Sequence, residues 1–181
     1  VVTKDRSRSS PYLERLHKEI ALQGSLFDNS RIVDQLHWGG GTPTFLDDAQ
    51  ATRLMFETGR RFQLLDGDRG DYSIEVDPET ASGAGLGLLR GIGFNRVSLG
   101  IQDLDPRVQK AIGRGQSPEM IRDRVAAIRG HGFRSLNMDL ILGLPCQSEG
   151  SFALTLEKIL EMRPDRLSVF NYDHLPAGFR T

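Results

Sequence analysis

Five short apolar runs recur along the chain, at residues 32–36, 72–76, 96–101, 135–141 and 166–172, with helix-like segments between them. Landmarks inside them, Val33, Tyr72, Arg96, Ser135 and Leu167, lie 39, 24, 39 and 32 residues apart. A hairpin needs only a few residues between its strands, whereas a parallel pair needs a crossover long enough for a helix. The spacing therefore predicts an α/β fold of repeated βα units, with a parallel sheet and outer helices. Its period is close to the roughly 30 residues of a barrel repeat.

The intervening segments carry helix signals. Ser10 and Pro11 supply a cap and a first-turn proline, with Leu13, Leu16 and Ile20 on one face. Asp47 or Asp48 caps a second helix, in which Ala51, Leu54, Met55, Thr58 and Phe62 fall at helical spacing. Ser117 and Pro118 open a third, with Ile121, Val125 and Ile128 inward. Ser148 or Ser151 opens the last, whose stripe is Phe152, Leu156, Ile159 and Leu160 and whose stop is Pro164. Residues 81–91 read as a helix too, although Gly83, Gly85 and Gly87 each cost about 1 kcal/mol relative to alanine. No linker, repeat or low-complexity tract divides residues 1–181, which read as one domain.

Composition narrows the partners. A net charge of -1 gives no electrostatic case for nucleic acid or a membrane surface, and no apolar run reaches the length of a span. A cytoplasmic location is expected. The single cysteine, Cys146, excludes an intrachain disulfide and any all-cysteine metal site built by this chain alone. On spacing it reads as structural or incidental, and Trp38 reads as packing.

In parallel βα architectures ligands bind at the carboxyl ends of the strands. The first run leads into His37-Trp38-Gly39-Gly40-Gly41-Thr42-Pro43-Thr44, where consecutive glycines make sense if a ligand approaches the backbone. The second ends in Ser73-Ile74-Glu75-Val76-Asp77-Pro78, and the third in Gly100-Ile101-Gln102-Asp103. The fourth contains Asn137-Met138-Asp139, and the fifth runs into Asn171-Tyr172-Asp173-His174. A carboxylate inside an apolar strand is costly unless paired or met by a ligand. Glu75 and Asp139 thus either contact a ligand or form an ion pair across the barrel with Arg96 or Arg114. Gln102 either meets the ligand or bonds a loop backbone, and His174 reads as a turn histidine. Arg114, between Gly113 and Gly115, is either a solvated arginine or the partner of a carboxylate.

Taken in order, these segments, with Gly93-Phe94-Asn95-Arg96-Val97-Ser98 and Phe170-Asn171-Tyr172-Asp173-His174-Leu175-Pro176, resemble the oxygen-independent coproporphyrinogen III oxidases. Those are radical S-adenosylmethionine (SAM) enzymes. The resemblance implies a partial TIM-like (β/α)6 barrel, of which about five strands are present here. S-adenosyl-L-methionine would lie across its open top. Gly40, Gly41 and Thr42 would line the methionine moiety, and Arg114 would face its carboxylate. Glu75, Gln102 and Asp139 would serve the amine and ribose hydroxyls, with Asp173 beside the adenine. It implies, further, a [4Fe-4S] cluster and a 5'-deoxyadenosyl radical acting on two propionates of coproporphyrinogen III to give protoporphyrinogen IX in haem biosynthesis. An electron donor, an electron acceptor and a monomeric protein belong to the same picture. The alternative within the superfamily is a haem chaperone, and outside it a barrel enzyme whose glycine loop takes phosphate.

Departures from the family pattern are Asp173, where a small residue is usual, Leu104 in place of an aromatic and Leu142 in place of a tyrosine. The family's three closely spaced cluster cysteines have no counterpart. Val1-Val2-Thr3 resembles the segment just after them, so an internal fragment is expected, without the cluster loop, the first strand or the carboxy-terminal region. Such a fragment would be inactive alone.

Overall fold

A computed structural model describes residues 5–173; Val1-Val2-Thr3 and His174-Leu175-Pro176, singled out above, lie outside the described residues. After a 3-10 turn at Arg6–Arg8 come helix α1 (Ser9–Gly24) and strands β1 (Ile32–Val33) and β2 (Gln35–Trp38). Helix α2 (Asp48–Gly59), β3 (Gln63–Leu64), β4 (Asp71–Val76), α3 (Gly83–Gly91) and β5 (Arg96–Gln102) follow. The chain continues through α4 (Pro106–Ala111), α5 (Pro118–Gly130), β6 (Ser135–Leu142), α6 (Glu149–Glu161) and β7 (Arg166–Asn171). Five strands form one sheet in the order β2-β4-β5-β6-β7, parallel throughout, and β1 pairs with β3 in a separate two-stranded parallel ladder.

The five expected strands are present, with one correction at the first. The run at 32–36 is split at Asp34, because the chain changes partner there: Ile32 and Val33 pair with Gln63 and Leu64, whereas Gln35 to Trp38 pair with Asp71 to Ile74. His37 and Trp38 are therefore inside the strand rather than behind it. Strands of two residues are too short to leave a periodic signal.

Alternation along the strands separates two faces. Tyr72, Ile74 and Val76 of β4, Val97, Leu99 and Ile101 of β5, and Leu136, Met138 and Leu140 of β6 are buried in one core with Met55, Leu86, Leu89, Ile121, Val125, Ile128 and Ile159 from the helices. Truncating such a residue to alanine costs about 2–5 kcal/mol. Trp38 packs edge-on against Phe94, with ring centroids 4.9 Å apart. The opposite, concave face carries His37, Ser73, Glu75, Ser98, Asn137, Asp139 and Ser168, which is where a site can be built.

Capping resolves the alternatives left by sequence. Asp47, not Asp48, caps α2 in a reciprocal box with Gln50, Ser117 caps α5, and Ser148 caps α6 in a box with Ser151. Ser10 caps nothing: α1 begins at Ser9, and Asp5 instead accepts from the Ser7 N–H at the head of the preceding 3-10 turn. The glycine-rich α3 forms because Ser82 caps it and Leu86 and Leu89 bury themselves. Gly87 also admits the His131 ring, whose Cε1 would lie 2.8 Å from an added Cβ.

Candidate functional site

Around the carboxyl ends of β2, β4, β5 and β6 lies an open cavity of about 270 Å³, lined by Gly40, Gly41, Thr42, Pro43, Glu75, Val76, Asp77, Gly100, Gln102, Arg114 and Asp139. Seven of the eight residues singled out from sequence converge there. Asp173 does not: it is exposed two residues past β7 and is absent from the cavity wall.

The glycine loop supplies bare backbone. A Cβ built at Gly40, whose φ is +103°, or at Gly41 would meet nothing within 4 Å, so this wall is open to an occupant. Gly39 has a different reason. A Cβ there would come within 2.4 Å of His37 Nε2 and 2.8 Å of Glu75 Oε1, so glycine is what lets those two side chains meet beneath the loop.

Glu75 is held by neutral or switchable donors. The Gly40 N–H donates to its Oε2 at 3.1 Å, and His37 Nε2 lies 3.3 Å from Oε1. His37 Nδ1 is 2.8 Å from the Ser73 hydroxyl, which fixes the ring between the two. Asp139 accepts from Ser98 Oγ at 2.6 Å and from Asn137 Nδ2 at 2.6 Å. Neither carboxylate joins the cross-barrel ion pair left open by sequence. Arg96 instead meets Asp71 at 2.8 Å at the other end of the sheet, and Arg114 lies 3.9 Å from Asp77.

Arg114 reaches the cavity because the α4 exit turns back on itself. Gly113 takes φ of +71°, the Arg114 N–H bonds Gln109 O at 2.8 Å, and Glu79 accepts from the Gly115 N–H at 2.6 Å. One arm, Nη1, donates to Gly100 O at 2.9 Å. Glycine at position 100 leaves space for Gln102 and Arg114, whose Nε2 and Nη1 would lie 3.2 and 3.9 Å from an added Cβ.

Gln102 has φ of +70°, and the Asp103 N–H bonds Ile101 O at 2.9 Å across it. That is a γ-turn of the rare, strained hand, at a cost of order 1–3 kcal/mol for a non-glycine residue. The same irregularity shifts the register with β6 between Gly100 and Gln102.

Backbone beside a carboxylate fits an ammonium, a guanidinium fits a carboxylate, and side-chain acceptors fit hydroxyls. The donor set thus suits a zwitterionic amino acid joined to a polyol such as a ribose. It does not suit a phosphate: the α-helix that follows the glycine loop, α2, presents Asp47 and Asp48 at its N-terminus.

The family model described as the Radical SAM superfamily matches residues 5–159. The chain belongs to that superfamily. Among curated relatives, the oxygen-independent coproporphyrinogen III oxidase of Pseudomonas aeruginosa is 53% identical over 179 residues, covering 99% of this chain and 39% of the relative. That of Escherichia coli K12 is 47% identical, covering 99% and 38%. The solved coproporphyrinogen III oxidase of Escherichia coli superposes with a TM-score of 0.92 at 46% identity, over 99% of this chain and 41% of that one. The chain therefore spans about two fifths of the length of the relatives it matches, and its sheet is the corresponding part of a radical SAM TIM-like barrel. Methylornithine synthase, at 18% identity and a TM-score of 0.64, shares the fold. Membership in the superfamily implies S-adenosylmethionine and a [4Fe-4S] cluster.

The two groups fare differently against the residues present. The cavity fits the methionine end of S-adenosylmethionine, on the bare backbone at Gly40 and Gly41 and on Arg114. The cluster finds no counterpart: the chain has one cysteine, Cys146, which is exposed, and no three metal-ligating side chains converge among the described residues. Sequence reading missed His37, Gly39, Asp77 and Gly100 as parts of the site. No local signal marks the first, because its role depends on the long-range pairing that sets His37 opposite Ser73.

Proposed function

We propose that this chain is the S-adenosylmethionine-binding part of an oxygen-independent coproporphyrinogen III oxidase. The observation that carries the reading is the convergence of Gly40, Gly41, Thr42, Glu75, Gln102, Arg114 and Asp139 on one cavity at the carboxyl ends of the strands. Sequence likeness to oxidases along nearly the whole chain supports the substrate, coproporphyrinogen III.

Were both groups bound, the cluster and S-adenosylmethionine would supply the one-electron chemistry for oxidative decarboxylation of the propionates, with an external acceptor taking up the electron left over. The residues of this chain hold and orient. Arg114 pairs the methionine carboxylate, while the Gly40–Thr42 backbone and Glu75 receive the ammonium. His37, fixed by Ser73, keeps Glu75 turned toward the glycine loop. Gln102 and Asp139 accept from ribose hydroxyls, and the Ser98 and Asn137 contacts set the Asp139 carboxylate plane. Asp173 stands outside this set.

Cluster ligation belongs to cysteines beyond this sequence. An electron donor, an electron acceptor, a monomeric state and a cytoplasmic location complete the proposal. No helix among the described residues is long and apolar enough to cross a membrane. The protein at its native length is expected to bind S-adenosylmethionine in calorimetric titration, and Arg114→Ala to weaken that binding at least tenfold. Wild-type protein that shows no binding, or a variant that binds equally well, overturns the reading. Anaerobic turnover of coproporphyrinogen III, against a haem titration, separates the oxidase from the haem chaperone.

A further inference from the structure

Next to Gln102 of the cavity wall, Asp103 is fully buried. Its Oδ1 accepts from the Asp105 N–H at 2.7 Å and from Thr155 Oγ1 at 2.8 Å, and its Oδ2 accepts from Gln147 Nε2 at 2.6 Å. Gln147 also donates to Ile141 O at 2.9 Å and accepts from the Gly143 N–H at 2.6 Å, so one side chain spans the exit of β6. On the other side, Gln109 Nε2 donates both to Ile101 O and to Asp103 O, the two carbonyls that flank Gln102. Gln109 holds this orientation although its buried Oε1 finds no partner among the described residues.

A strained backbone persists only where its surroundings over-determine it. Gln102 is the strained residue, and the bonds made to Ile101 and Asp103 act on the residues either side of it rather than on its own side chain. Gln109 clamps the γ-turn from the α4 side, and Asp103 anchors its outgoing end to α6 through Thr155. Gln147 then ties that anchor to the β6 exit, two residues beyond Asp139.

We infer that Asp103, Gln109 and Gln147 form a positioning device that holds Gln102 in its left-handed conformation and fixes its distance from Asp139, so that both acceptors face the ligand together. The inference rests on reading the cavity as the S-adenosylmethionine site. None of the three residues lines the cavity; they act through Gln102 and the β6 exit.

A double-mutant cycle tests it, with S-adenosylmethionine binding read by calorimetry on the protein at native length and with melting temperature read alongside. Gln109→Met keeps the side-chain volume and deletes the clamp. Gln102→Ala deletes the positioned amide. Each is expected to weaken binding about tenfold, and the double variant no further than either alone, because the clamp has nothing left to position. Additive loss, to about a hundredfold, shows that Gln109 acts on something other than Gln102 and overturns the inference, as does wild-type affinity in either single variant. Should Gln109→Met fail to fold, Gln147→Met takes its place in the cycle, with the same outcomes supporting or overturning the inference. Arg114→Ala is the control that separates the two claims. If it too binds normally, the site reading has failed; if it alone loses affinity, only the positioning device has.

Discussion

At the amino end of the sheet, charged groups are matched with one another: Asp71 with Arg96 at 2.8 Å, Asp68 with Arg90 at 2.5 Å and Asp165 with Arg129 at 2.7 Å. At the carboxyl end Glu75 and Asp139 meet a histidine, a backbone N–H, a hydroxyl and an amide, while Arg114 spends one arm on a carbonyl and lies 3.9 Å from Asp77. Both ends contain the same residue types. The difference lies in how tightly the fold itself pairs the charge. Where the pair is close, the groups fasten loops; where the partner is a neutral donor or, as for Arg114 and Asp77, a more distant carboxylate, they keep capacity to meet a charge brought from outside.

Gly41→Val puts this contrast under the greatest load. Nothing lies within 4 Å of a Cβ there, so the fold has space for it and the occupant does not. S-adenosylmethionine affinity is expected to fall at least about a hundredfold, roughly 2.7 kcal/mol, with the melting temperature within about 2 °C of wild type. A large drop in melting temperature with affinity retained would reverse the assignment of the two ends.

Next is Asp139→Asn, which keeps the shape and removes the charge. Affinity is expected to fall about tenfold, roughly 1.4 kcal/mol, with stability to urea changed by less than about 0.5 kcal/mol. Arg96→Met is the mirror experiment. It leaves Asp71 without its nearest cation, with Arg134 3.8 Å away, and is expected to cost about 1 kcal/mol in urea unfolding. Cofactor affinity should stay within about twofold; a tenfold loss would show that the amino end is not merely structural.

A subtler effect is one of pH. Burial, the largest single influence on Asp165, pushes its carboxyl up. The Leu136 N–H, at 2.8 Å, and Arg129 together outweigh it and leave the group below its ordinary value. A carboxyl depressed in the folded state contributes stability that is complete above its unfolded pKa of about 3.9 and is lost as pH falls through the lower folded value. Since the side chain is partly exposed, this contribution is below about 1 kcal/mol. Urea titrations of wild type and Asp165→Asn should differ at pH 7, keep that difference down to about pH 4, and converge below it. A difference that grows toward acid would contradict the assignment.

Much of this architecture was legible in the sequence. Strand positions followed from apolar runs too far apart for hairpins, and the cap at Ser117 from residue type and place, while the caps of α2 and α6 were narrowed to two candidates each, Asp47 or Asp48 and Ser148 or Ser151. The cavity residues followed from polarity at strand ends, together with a resemblance carried by several motifs in fixed order. What sequence could not supply was pairing at long range. Nothing local says that Arg96 turns to Asp71 rather than Glu75, that His37 stands opposite Ser73, or that Asp34 is where one run changes partners. Gly39 and Gly41 are adjacent but for one residue and identical as letters. Only the fold shows that one makes space for the protein's own side chains and the other for something else.

Tyr72, Ile74 and Val76 are buried in the core, and Ser73 and Glu75 lie on the opposite face, so β4 encodes two messages in alternate letters. Substitutions edit one message at a time. Loss of a single codon between Tyr72 and Glu75 would transpose them, driving a carboxylate into the core and an aliphatic group onto the opposite face. Mutational scans of this strand should therefore tolerate many replacements and almost no change of length.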